Sequence, residues 1–468
     1  MPRKVGEYSV YKGVINMKDL TKGSPVKIIL LFALPIICGN IFQQLYNIAD
    51  SKIVSTYVST NAFAAVGATS VVSNTIIGFI NGLTQGFAIP IANSFGARDE
   101  KRMRRFVSGT IILSMSVAVI LTIASLMFIE PILVVLKTPE DILPQALSYV
   151  RIILAGIIFT ALYNMCANVL RAVGDSKTPL YCLVTSVIFN IGLDLLFVRT
   201  FNMKIEGAAY ATVISQAIAA IMCIVYILFK FRSLLPKKDE WKTERGQYSD
   251  LITTGLSMGL MSCIVNIGTV VLQGAINGLG TAIVAAHTAA RRVFDILTVT
   301  LFSIGIAMTT FVSQNMGAER PDRARQGVRQ AIGLVTIITT ALVVICFVFG
   351  RPVFVWLTNS TDSEIIEPAV MYSRISIVFF YVLGPLFVLR CSLQGMGRKI
   401  IPVCSSVLEM IIKILSAQFL VPVFAYRGVA FTEPISWVAM TILLSVSYVI
   451  IVRGYKVCPI DKRETINL

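Results

Sequence analysis

Twelve windows along the chain are each at least about 18 residues long, poor in charge, and apolar enough to cross a bilayer. They fall near 28–53, 63–92, 106–130, 147–170, 179–199, 207–231, 251–276, 283–312, 327–350, 369–392, 400–422 and 428–452. No soluble core could hide so much apolar surface in 468 residues that are 56% hydrophobic and only 14% charged, with mean hydropathy +0.78. Lipid has to be the solvent. The expected fold is an all-α integral membrane protein with twelve transmembrane helices.

A net charge of +16 would raise the question of nucleic acid in a soluble protein. Here the basic residues sit between apolar runs with no interleaved aromatic platform, so no nucleic-acid partner is expected. Lys and Arg gather in both termini and in the loops after helices 2, 4, 6, 8 and 10. The loops after helices 1 and 7 hold none, and the other odd loops one or two each. Because cytoplasmic loops carry the excess, both termini are expected in the cytoplasm, in a multi-pass protein of the cell inner (plasma) membrane. The first apolar run is too long for a signal-peptide core and reads as a retained anchor. The most polar interior stretch, Arg232 to Asp250, separates six helices from six. The expected organisation is a cytoplasmic segment 1–25, an N-terminal lobe 26–231, a cytoplasmic linker 232–249, a C-terminal lobe 250–452 and a cytoplasmic tail 453–468.

The halves also match in sequence. Ser94-Phe95-Gly96-Ala97 recurs as Asn315-Met316-Gly317-Ala318, 221 residues on, and each is followed by a basic stretch. Gly174 and Pro179 match Gly397 and Pro402 at 223, and Gly207-Ala208-Ala209-Tyr210 matches Gly428-Val429-Ala430-Phe431 at 221. Three anchors in one order imply a duplication. Six helices per copy make the repeats parallel, with the substrate path expected in a cleft between them.

Five acids lie inside the apolar windows, where each costs roughly 2.5–3.5 kcal/mol on insertion scales: Asp50, Asp194, Asp295, Glu409 and Glu433. Asp295 stands four residues after Arg291, and Glu409 four before Lys413, so both can form satisfied pairs on one helix face. Glu433 enters the second group from the last helix, making Glu409, Lys413 and Glu433 a charged network that is structural or binds substrate. Asp194 differs, because its face-mate is Asn190 and no basic residue lies within a turn of either. Two oxygen-bearing side chains suit a proton or a small hard cation. At about 1.5 Å of rise per residue, Asp194 and Thr212 reach about the same depth. Asp50 comes out near the outer face unless Pro35 bends the first helix.

Several runs resemble the multidrug and toxic compound extrusion (MATE) family: Asp19-Leu20-Thr21-Lys22-Gly23-Ser24-Pro25, Phe32-Ala33-Leu34-Pro35 and QQLYNIADSKIV, which ends helix 1. So do the Gly-Ala-basic loop after helix 2, Arg171-Ala172-Val173-Gly174-Asp175, NIGLDLLF in helix 5 and IEGAAYAT opening helix 6. The resemblance covers about residues 20 to 455. It implies two six-helix lobes in a V and export of mostly cationic, amphipathic compounds in exchange for Na⁺ or H⁺. It also implies a coupling-cation site at Asp50, Asn190, Asp194 and Thr212, supported by Tyr46 and Asn164, with Pro35 as the bend of helix 1. One branch of the family is not matched: helix 7 reads GLSMGLMSCIVNIGTVV and carries no acid, and the positions equivalent to Asn190 and Asp194 are Lys413 and Ala417.

The expected activity is therefore secondary antiport: multidrug efflux of organic solutes driven by Na⁺ or H⁺ through rocker-switch alternating access. The expected partners are small organic substrates and membrane lipids, the expected state is a monomer, and no cofactor is expected. The alternative within transport is a flippase for lipids or lipid-linked precursors, for which Lys413 and Arg374 would hold phosphates. An enzyme is not expected. His287 is the lone histidine, reading as a loop or helix-end residue, and HExxH and GxxxxGK[ST] are both missing from the sequence. The nine cysteines show no ligand spacing and read as small buried hydrophobes.

Overall fold

The computed structural model describes residues 19–136, 138–358 and 362–454. Most of the expected cytoplasmic N-terminal segment, nearly all of the expected tail, and Cys458 lie outside the described residues. The described chain folds as helices joined by short turns. Ten helices are long and apolar enough to span a membrane, and two bent pairs raise the total to as many as twelve.

The chain divides into two compact units. The first takes Leu45–Ile252, including the second half of α1 (Pro25–Tyr57). It continues through α2 (Thr60–Gly96), α3 (Glu100–Val135), α4 (Leu143–Ala155), α5 (Ile157–Ala172), α6 (Lys177–Asp194) and α7 (Lys204–Lys230). The second takes Thr21–Gln44 and the described chain from Thr253 on. Its helices are most of α8 (Arg245–Asn277), then α9 (Thr281–Gly317), α10 (Pro321–Thr358), α11 (Ser363–Val378), α12 (Phe380–Gly395), α13 (Ile400–Leu415), the single turn α14 (Val421–Phe424) and α15 (Tyr426–Gly454).

The duplication is visible in the backbone. The window at 147–170 is a pair of helices, α4 and α5, meeting at 42°, and the window at 369–392 is the pair α11 and α12, meeting at 52°. Their breaks, at Gly156 and Phe379, are 223 residues apart. α7 packs directly against the bend at Gly156: a Cβ at this position would stand 2.3 Å from Val213 Cγ2. Left-handed backbone recurs in register at Arg98 and Glu319, Gly174 and Gly397, and Lys204 and Ala425. A π-helical stretch follows α6 at Leu195–Thr200, and another follows α13 at Ser416–Leu420. Wide turns of this kind widen the backbone helix and often accompany functional sites.

Burial gathers along helix–helix seams. In the first unit Leu83, Phe87, Ile91, Phe106, Leu170 and Leu251 form one core, while Val54, Ile80, Ile129, Leu154 and Ile205 belong to another. In the second unit Ile276, Ala290, Phe354, Ile366, Tyr372 and Val429 are packed together. Outward positions such as Ile120, Met127, Phe229, Ile337 and Ile450 stay large and apolar, as a lipid-facing surface requires.

The polar stretch between the halves is anchored to α3. Glu240, buried, accepts a 2.7 Å hydrogen bond from Arg104 Nε and a 2.9 Å bond from the Lys237 backbone N–H. Ser108 donates to the Glu240 carbonyl at 3.0 Å, and Arg105 pairs with Glu244. The Arg104 guanidinium holds the Glu240 carboxyl below the usual carboxylate range. The eight cysteines among the described residues are all free; Cys404 departs from the expected burial and is exposed on α13.

Candidate cation site

In the first unit three elements bring oxygen atoms together. Asp50 lies on α1, Asn190 and Asp194 on the last turns of α6, and Thr212 on α7. Asn190 and Asp194 face each other across one turn of α6: with the Asn190 amide oriented to satisfy both neighbours, its Nδ2 donates to Asp194 Oδ2 at 2.9 Å and its Oδ1 accepts the Thr212 backbone N–H at 3.2 Å. Tyr46, one turn before Asp50, meets Thr212 through the hydroxyls at 3.0 Å, so α1 is tied to α7. Asp50, Asn190 and Asp194 are 8%, 2% and 0% exposed.

Asp50 lies within electrostatic range of Asp194. Neither has an ion-pair partner among the described residues, and one oxygen of each, Oδ1, is buried without a hydrogen-bond donor there. A buried, unpaired carboxylate is costly, and two side by side cost more. A proton or a monovalent cation relieves both penalties, and the hard oxygen donors suit either. Among the described residues no group of three or more His, Cys, Asp or Glu is placed to hold a metal ion.

With 33 residues α1 is about 50 Å long, well beyond a hydrocarbon core of about 30 Å. It continues about two turns past Asp50, which leaves that residue inside the unit. The helix runs unbroken through Pro35. Asn164 is not joined to the cluster by its amide nitrogen, which donates to Thr160 O in its own helix at 2.9 Å. Tyr149 of α4 was not singled out from the sequence, yet it lies within electrostatic range of both Asp50 and Asp194. A tyrosine in an apolar run carries no signal in one dimension.

The second unit holds its charges in a chain of pairs. Lys413 Nζ lies 2.9 Å from Glu409 Oε1 and 3.2 Å from Glu433 Oε1. Arg291 reaches Glu433 at 3.3 Å and Asp295 at 3.1 Å, and Arg390 reaches Glu409 at 3.7 Å. Arg390, a basic residue inside an apolar window, was the available signal for the last pair. His287 lies near the start of α9, in its second turn, which fits the helix-end alternative and not the loop, and it is buried. Its Nδ1 is 3.3 Å from Tyr426 Oη, and its ring meets Tyr372 edge-on at 5.1 Å. Arg374 stacks over Phe347 with its guanidinium carbon 5.7 Å from the ring centre.

The MatE family model matches residues 35–196 and again 258–418. "Probable multidrug resistance protein YpnP" of Bacillus subtilis is 28% identical over 385 residues, covering 82% of this chain and 85% of the relative. A FAD transporter of Shewanella oneidensis is 23% identical over 393 residues, covering 82% and 86%. Among solved structures, a MATE protein in its bent conformation superposes with a TM-score of 0.86 at 24% identity, covering 93% of this chain and 97% of that one.

Proposed function

Because the chain belongs to the MatE family, whose members are membrane transporters and not enzymes, we propose that it is a secondary antiporter for multidrug efflux. Its substrates are organic, cationic and amphipathic compounds, exported in exchange for Na⁺ or H⁺ by rocker-switch alternating access. The observation that carries this reading is the contrast between the two units. Asp50 and Asp194 are buried with orphaned oxygens, whereas Glu409, Glu433 and Asp295 are all paired. Ion coupling belongs where charge is unbalanced.

In this reading an outside cation binds Asp50 and Asp194, removes their repulsion and draws α1 against α6 and α7. Tyr46 and Thr212 report the move from one helix to the other. Since coupling is reciprocal, a cation that favours one arrangement lowers affinity for a solute that needs the other. The solute then leaves on the outside. Relatives named as multidrug resistance or export proteins support the substrate class.

The flippase alternative would use Lys413 as a phosphate receptor. That ammonium is already surrounded by Glu409 and Glu433, which weighs against it. Efflux from vesicles with Na⁺ and pH gradients imposed separately, against a panel of organic cations, tests the proposal. Export driven by one of the two gradients supports it. Export of lipid-linked phosphates without any ion gradient overturns it.

A further inference from the structure

At the register of the repeat, the two units put different chemistry at the same positions. The Asn-Ile pair at 47–48 recurs at 266–267, which sets Asp50 against Thr269. The starts of α6 at Lys177 and α13 at Ile400 set Asn190 against Lys413 and Asp194 against Ala417. The Gly207 and Gly428 anchors set Thr212 against Glu433. These counterparts also meet in space. Lys413 Nζ lies 3.3 Å from Thr269 Oγ1, 3.2 Å from Glu433 Oε1 and 2.9 Å from Glu409 Oε1.

So where the first unit gathers oxygens around an unbalanced charge, the second gathers oxygens around an ammonium that is 2% exposed. The directly paired groups there are Asp295, Glu409 and Glu433 against Arg291, Arg390 and Lys413, and they sum to zero. The packing makes room for the lysine stem. A Cβ at Gly268 would stand 3.2 Å from Lys413 Cδ and 3.2 Å from Met410 Cα, whereas the first unit has Ala49 at the matching position.

We propose that the Lys413 ammonium is a tethered stand-in for the coupling cation. The second unit carries its monovalent cation covalently, at the place where the first unit binds one reversibly. It therefore stays in the cation-loaded arrangement while the first unit alone exchanges ions. The oxygens of Thr269, Glu409 and Glu433 are then a latent site for a small monovalent cation, alkylammonium above all, which opens when the tether is cut. The stand-in role rests on the proposed reading of Asp50 and Asp194; the latent site does not.

The test silences the first unit with Asp50→Asn and Asp194→Asn in the full chain, then compares Lys413 with Lys413→Ala by calorimetric titration. The probe is n-propylammonium, which replaces the side-chain atoms removed. Saturable binding of one amine per chain by the Lys413→Ala protein, and none by its Lys413 parent, is expected. In the otherwise unaltered chain, Lys413→Ala should slow ion-driven efflux about tenfold or more, because a buried pair loses one partner, and propylammonium should restore it. No amine binding by a Lys413→Ala protein that elutes as a folded monomer overturns the proposal. If that variant does not fold, Lys413→Asn with Ala417→Asp copies the first unit instead. With the first unit intact, Na⁺ or proton uptake rising from one to two per chain supports the proposal, and unchanged uptake overturns it. Full ion-driven efflux by the Asp50→Asn, Asp194→Asn chain would sink the coupling reading and the stand-in role with it, while leaving the amine titration to decide the latent site.

Discussion

The hydroxyl pair between Tyr46 and Thr212 offers a measurable link between α1 and the rest of the proposed ion site. The oxygens are 3.0 Å apart and Tyr46 is 9% exposed. Tyr46→Phe or Thr212→Val alone leaves a partly buried hydroxyl without its partner and should cost about 1 kcal/mol, and removing both, which loses only the net bond, should also cost about 1 kcal/mol. A double-mutant cycle should therefore give a coupling of about 1 kcal/mol, with the double variant less impaired than the two singles summed. If the bond closes α1 onto the loaded site, the same energy appears in ion affinity, as about a fivefold rise in the cation concentration for half-maximal efflux. The assay is efflux from proteoliposomes across a cation titration, with the unfolding midpoint in detergent measured beside it. Additive losses in both readouts, or a half-maximal concentration unmoved in all three variants, would refute the reasoning.

Glu240→Gln should lower stability by about 1.5–3 kcal/mol, since it removes the charge from a buried 2.7 Å bond to Arg104; thermal unfolding checks this. The same carboxyl is held below its usual range, so its contribution is present above the unfolded-state value of about 4.3 and is lost as pH falls through the native one. The original chain and the Gln variant should then differ at neutral pH and converge in acid; curves that stay parallel down to acid would contradict the pairing. Gly156→Ala places a methyl 2.3 Å from Val213 Cγ2 and should cost about 1–3 kcal/mol by overpacking, with the loss relieved by Val213→Ala. No relief in the double variant would mean that Val213 is not what limits the space at the break between α4 and α5.

Periodicity and length made the helices legible, and three repeat anchors made the duplication legible, because both are one-dimensional signals. The breaks at Gly156 and Phe379 were not. A helix bent in mid-span looks continuous in sequence. Within the candidate site, the Asn190–Asp194 pair followed from i, i+4 spacing, and the shared level of Asp194 and Thr212 followed from rise per residue. In sequence the depth of Asp50 is conditional, because the start and tilt of a 33-residue helix are set by packing, which spacing does not register. Tyr149 and Arg390 join their clusters from other helices, which spacing along one helix cannot register. Glu240 looked like one more charge in a solvated linker, and only the fold reveals that Arg104 buries it.

The central claim is that solute export is coupled to a cation held by Asp50 and Asp194. Its most direct test is the affinity of the purified protein for a transported organic cation, titrated against the coupling ion. The account predicts that saturating ion weakens solute binding in the original chain and that Asp194→Asn abolishes this response while leaving solute binding measurable. An ion response of undiminished size in the Asp194→Asn protein would contradict it.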